Sequence, residues 1–205
     1  MGHRALVAYE RPDSHYNIHY THWSGLNLRL KHDLTPQRPF GGAIPNDQHQ
    51  GTLEQLLTAT AIDADAFEDG PNTDPLVRPQ PTAIGVTFDE LLSEHLNYLS
   101  HEALYVVDAD FQITAYRTHW FGLQYDADSI TEGPKAGNGA IRTVRWYNGE
   151  PVGDGHTQGE FQALKVVVGD MVDRDVFTES EAVAYMAQHL CEWTSPYHEL
   201  HIRTP

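Results

Sequence analysis

The residues best suited to chemistry lie in one element that occurs twice. Thr21-His22-Trp23-Ser24-Gly25-Leu26 returns 97 residues later as Thr118-His119-Trp120-Phe121-Gly122-Leu123. Five of six positions match, including a tryptophan, of which the chain has only four. A strand ending in His-Trp, then a glycine, holds an imidazole and an indole at a sheet rim beside a tight turn. Two such rims related by pseudo-symmetry would form a composite pocket, so His22, Trp23, His119 and Trp120 are candidate binding residues. The structural alternative is that tryptophan packs over the sheet, histidine bonds a backbone group and glycine serves the turn.

Other chemistries find less support. The chain has 13 histidines. Strand alternation puts His15 and His19 on one face and His22 on the other, so they form no ready-made metal triad. No His-Glu-x-x-His spacing occurs, and no Gly-x-Ser-x-Gly element. Ser24 has Phe121 as its counterpart, so the repeated element does not require a hydroxyl there. Asp108, Asp110, Asp126 and Asp128 read as loop acids. Gly133-Pro134-Lys135-Ala136-Gly137-Asn138-Gly139 reads as a turn, because a strand follows it where a phosphate loop has a helix. Cations interleaved with aromatics suit nucleic acid. The best such segment is Arg142-Thr143-Val144-Arg145-Trp146-Tyr147, where Arg145 and Tyr147 share a strand face. These two join the candidate binding residues.

The elements that must position these residues follow the same repeat. Gly42-Ala43-Ile44 returns as Gly139-Ala140-Ile141, and His101-Glu102 as His198-Glu199, both at the 97-residue spacing. His3-Arg4-Ala5-Leu6-Val7 matches His101-Glu102-Ala103-Leu104-Tyr105 after a one-residue slip. The chain therefore reads as two diverged copies, residues 1–97 and 98–197, with a closing strand in 198–205, all within one compact domain. Strands are predicted at 3–10, 15–23, 103–108, 111–120, 140–147 and 198–203. Asn148-Gly149 is a hairpin signal. Helices are predicted at 52–58, 88–99, 158–172 and 178–193, and Thr87 and Thr178 each open a capping box. Residues 69–81 carry four prolines and no periodicity, so they read as an exposed loop. The expected class is α+β, with two hairpins meeting across a pseudo-two-fold axis.

Composition narrows the setting. Against 29 acidic residues stand 13 Lys and Arg, a formal charge of −16. The lysines are Lys31, Lys135 and Lys165 alone. A carboxylate-rich, lysine-poor surface suits molar salt, where the Debye length falls to roughly 3 Å and self-repulsion is screened. In such a protein surface charge says little about partners, so acidity does not exclude a nucleic-acid partner. The single cysteine, Cys191, rules out an internal disulfide framework and a cysteine-based zinc site. It reads as a small core residue on a helix. No apolar run approaches a membrane span and no signal-peptide core opens the chain, which points to the cytoplasm.

Several segments also carry a family likeness: Met1-Gly2-His3-Arg4-Ala5-Leu6-Val7, Tyr20-Thr21-His22-Trp23-Ser24-Gly25, His119-Trp120-Phe121-Gly122-Leu123-Gln124-Tyr125 and Val144-Arg145-Trp146-Tyr147. On these the whole chain resembles a haloarchaeal family of unknown function. The N-terminal hairpin alone is similar to small phage and bacterial proteins that begin Met-Gly-x-Arg. Ser24 stands where those have Asp, so no carboxylate role carries over. The resemblance implies an origin in a haloarchaeon or its virus and transfers no catalytic residue and no cofactor.

The expected function is non-enzymatic binding to a macromolecular partner, either a protein or a ribonucleoprotein assembly. The alternative is a metal-dependent hydrolase or nuclease using His and Asp.

Overall fold

The computed structural model describes residues 2–62, 74–131 and 137–204. The fold is α+β. Two compact units divide it. The first holds the described residues up to His95 together with His101–Ala115, and the second holds Leu96–Ser100 and the chain from Tyr116 onward.

The first unit is built on β1 (Arg4–Glu10) and β2 (Tyr16–Thr21), an antiparallel hairpin. Residues Ala5 to Tyr9 are all buried. Neighbours on a strand point to opposite faces, so an unbroken buried run means that both faces of β1 are covered. Two helices follow, α1 (Leu30–Asp33) and α2 (Asp47–Thr58), then β3 (Ala83–Val86) and α3 (Phe88–Glu90). The predicted helix over 88–99 is this short turn followed by a π-helical stretch, Leu91–His95. The sequence reading missed β3, which pairs antiparallel with β2.

On the other side of β1 lies β4 (His101–Val107), in parallel. Ala5 sits beside Ala103, Leu6 beside Leu104 and Val7 beside Tyr105. The positions matched between the two sequence copies are thus neighbours in the sheet. The repeat boundaries and the compact units do not coincide, because this pairing draws β4 into the first unit.

The turns that close the two hairpins are alike. Arg11 N–H donates to His15 O (2.8 Å) and Ser14 N–H to Arg11 O (3.0 Å). Asp108 N–H donates to Gln112 O and Phe111 N–H to Asp108 O, both at 3.0 Å. Ser14 and Phe111, again 97 apart, both take the left-handed conformation, with φ of 61° and 60°. Arg11 also anchors α2. Its buried guanidinium donates to Leu56 O and Ala59 O at the helix C-terminus, where a cation complements the helix dipole.

Residues 74–81 are less exposed than their prolines predict. Val77 is fully buried and donates to Phe40 O, Arg78 N–H donates to Tyr20 O, and Thr21 Oγ1 donates to Leu76 O. The backbone finds its partners beside β2, so this stretch is docked rather than a free linker. Residues 69–73 of the predicted loop lie outside the described residues.

Strand β5 (Ile113–Trp120) begins in the first unit and ends in the second. There it pairs antiparallel with β6 (Gly139–Thr143), which in turn pairs with β9 (Leu200–Arg203). The closing strand thus finds its partner in β6. The strand predicted over 140–147 is two strands. It breaks at buried Val144, and β7 (Arg145–Tyr147) and β8 (Glu150–Val152) form a separate ribbon. Asn148 (φ 50°) and Gly149 (φ 80°) make its turn, as their sequence predicts.

Two long helices, α4 (Asp154–Asp173) and α5 (Glu179–Trp193), supply the core of this unit. Phe161 and Val168 of α4 meet Ala182, Val183, Met186, Ala187 and Leu190 of α5, together with Phe121 and Leu123. The capping boxes at Thr87 and Thr178 both form. Cys191 departs from its expected core position and is exposed. The buried stripe of α5 runs through positions 182, 183, 186, 187 and 190, and the next residue rotates about 100° away from it.

Candidate binding surface

The two Thr-His-Trp copies end in different environments. In the first, β2 stops at Thr21, so His22 and Trp23 project beyond the sheet. Tyr20 Oη lies 2.9 Å from His22 Nδ1, and the His22 ring stands edge-on to Trp23 with centroids 4.5 Å apart. Trp23 is 67% exposed. Gly25 is required here, because a Cβ would come within 2.8 Å of Arg4 O.

In the second copy β5 continues through Trp120, and His119 and Trp120 are both buried. His119 packs edge-on to Phe161 at 5.1 Å. Lys165 Nζ sits 4.3 Å above the Trp120 ring and 3.0 Å from Asp126 Oδ2. Asp126, expected as a loop acid, is therefore the partner of a buried lysine. The repeated motif serves an exposed aromatic corner in one unit and core packing in the other.

A polar cluster that the motifs did not point to lies in the second unit. Arg117 on β5 and Arg142 on β6 are direct register partners, and both are buried. Asp154, in the first turn of α4, accepts from Arg117 Nε at 3.1 Å and from Arg117 Nη2 at 2.6 Å. Gln158 Nε2 also donates to it. This is a charge-assisted bidentate pair. Among the described residues, Arg142 bonds a hydroxyl and an imidazole and no carboxylate. Its Nη1 donates to Thr157 Oγ1 at 3.4 Å, and its Nη2 lies 3.2 and 3.3 Å from the two ring nitrogens of His198. The second nitrogen, Nδ1, is also 2.9 Å from Ser195 Oγ.

These charges act on the nearby imidazoles. Burial pulls His119 down to about 4, with Arg142 and Arg117 adding to the effect and Asp154 opposing it. His198 is also lowered, by burial first and then by Arg142 and Arg145. Arg117 and Arg142 thus act on His119 together with Asp154, and Arg142 and Arg145 act on His198. Sequence reading named Arg142 and Arg145, and His198 only as part of the repeated His-Glu pair, but not Asp154 or Thr157. The signal it lacked was the pairing of β5 with β6, which sets Arg117 against Arg142.

The ribbon stands beside this cluster. Arg145 pairs with Val152 and Tyr147 with Glu150, so these four residues share one face. All four are exposed, with Tyr147 at 71%. Trp146 and Pro151 turn to the other face and are half-buried. Tyr197, next to His198, is 83% exposed. Lys135, in the glycine-rich loop, lies outside the described residues. Among the described residues no group of three or more His, Cys, Asp or Glu side chains is placed to hold a metal ion. Likewise among the described residues, no helix is long and apolar enough to cross a membrane.

The model of a family of unknown function, DUF6735, matches residues 1–202. The chain belongs to that family. The match spans the aromatic corner, the arginine cluster and the ribbon, so all three fall within what the family model describes. No curated protein and no solved structure matches the chain.

Proposed function

We propose that the protein is a non-enzymatic binding protein that docks on a macromolecular partner, a protein or ribonucleoprotein assembly, through the exposed face of the β7–β8 ribbon. The observation that carries this reading is the pairing of Arg145 and Tyr147 on one solvent-facing side of a two-stranded ribbon. Tyrosine and arginine are the side chains that most often anchor interfaces, since each offers large contact area together with a polar handle. The ribbon's Asn148-Gly149 turn fixes the backbone register that sets the two side chains on one face. The exposed Trp23 gives the first unit an aromatic anchor of its own.

The setting proposed is a salt-rich cytoplasm of haloarchaeal type, which the excess of carboxylates and the scarcity of lysine support. The origin proposed for the fold is duplication of one unit, supported by the two like turns at Ser14 and Phe111 and the two capping boxes. The test is capture of the partner by the wild-type protein and by an Arg145→Ser/Tyr147→Ser variant. The reading requires the variant to lose the partner while keeping its fold.

A further inference from the structure

A buried cation is stabilised by a carboxylate bonded to it, and among the described residues none bonds Arg142 directly. The residue is 8% exposed, and its Nε has no hydrogen-bond partner among the described residues. Its other two nitrogens meet a threonine hydroxyl and the His198 ring. The carboxylate that acts on it, Asp154, is already engaged by Arg117 through two guanidinium nitrogens. Arg117 lies beside it in the sheet, and Arg145 adds a third positive charge near His198. His119 and His198, neutral or protonated, bring no negative charge to the site. Leaving a buried charge unpaired is costly.

The unpartnered Nε and the neighbouring Nη2 form one edge of the guanidinium plane. Two parallel N–H donors on that edge match two oxygens of a phosphate or carboxylate group. Thr157 places the start of α4 against Nη1, the remaining nitrogen of the same guanidinium. This helix of 20 residues begins at Gly153 without a side-chain cap, and its positive end favours an anion. The Asp154 charge opposes an anion, and the bidentate Arg117 pair offsets that charge.

We infer that Arg142 is the centre of an oxyanion-binding site that takes a phosphate group on its Nε–Nη2 edge, with Thr157 and the start of α4 alongside. The incoming oxygen replaces the His198 ring at Nη2. The phosphate comes either as the free ion or as a phosphodiester of a polynucleotide. The site does not use the exposed ribbon face and does not depend on the ribbon's recruiting a partner.

The test is calorimetric titration of inorganic phosphate into the full-length protein at fixed, high ionic strength. The wild type is expected to bind one phosphate saturably. Arg142→Met should abolish binding, and in phosphate-free buffer it should be as stable as the wild type or more so, because it removes an unpaired buried charge. Arg142→Lys, which keeps the charge but loses the planar edge, should bind at least about tenfold more weakly. It provides the comparison should the methionine variant fail to fold. Tyr147→Ala should bind phosphate as the wild type does, which separates this site from the ribbon. Competition by a short single-stranded oligonucleotide would assign the phosphodiester form, and its absence the free ion. Failure of the wild type to bind phosphate saturably would overturn the inference. Equal binding by a folded Arg142→Met would do the same.

Discussion

At the scale of single residues, burial decides more than residue type. His19 and His119 are both fully enclosed, and burial pulls each down to about 4. His101 is drawn to about 4 by burial and by Arg4. In the unfolded chain a histidine titrates near about 6.5. Between those values the unfolded state holds the extra proton, so stability rises with pH across that window. It is complete above about 6.5 and falls as the pH drops toward 4. His119→Phe should keep the contact with Phe161 and flatten part of this slope. Chemical denaturation at a series of pH values checks it, and an unchanged slope in a folded variant would contradict the assignment. Residue type alone could not have revealed this. His22 and His119 occupy matching places in the sequence, yet one lies beyond its strand and the other lies within a core.

At the scale of elements, local sequence rules carried far where the structure is local. The capping boxes at Thr87 and Thr178, the Asn148-Gly149 turn and the two long helices all follow from neighbouring residues. What could not be read is what depends on distant partners. Strand β3 is short and takes its partner from β2 across more than 60 residues. The break at Val144 and the placing of Arg117 against Arg142 are set by sheet pairing. Residues 74–81 look like a linker in sequence because their backbone partners, Phe40 O and Tyr20 O, lie far away along the chain.

The packing of α4 offers a direct test at this scale. A Cβ on Gly169 would fall 1.9 Å from Asp126 O. Alanine is the better helix former by about 1 kcal/mol. The clash is with backbone and cannot be relieved by a side-chain rotation, so overpacking by about 1–3 kcal/mol or more should prevail. Gly169→Ala is expected to lower stability, whereas exposed Gly159→Ala, whose Cβ would meet nothing within 4 Å, should raise it. Urea unfolding of both variants distinguishes them, and a stabilised Gly169→Ala would refute the close approach.

At the scale of the whole molecule, the charge of −16 dominates. Raising salt from about 0.1 M to about 1 M shortens the Debye length from about 10 Å to about 3 Å and relieves self-repulsion among surface carboxylates. The melting temperature should therefore climb over that range of potassium chloride, and a flat or falling curve would remove the case for salt adaptation. Against this acidic background, Arg117 and Arg142 paired across the sheet, with Arg145 near His198, form a local reversal of sign among the described residues of the second unit. The ribbon that carries Arg145 and Tyr147 adjoins that reversal, and it presents its aromatic and cationic side chains to solvent.

The ribbon is proposed to recruit a partner. The most direct measurement is affinity capture from the cell of origin at molar salt, run in parallel with the wild type and with Arg145→Ser/Tyr147→Ser. Circular dichroism should first show that both are folded. A macromolecular partner recovered in stoichiometric amount by the wild type, and lost from the variant, is the result predicted. A wild type that emerges without a partner, or a variant that retains the same one, would contradict it.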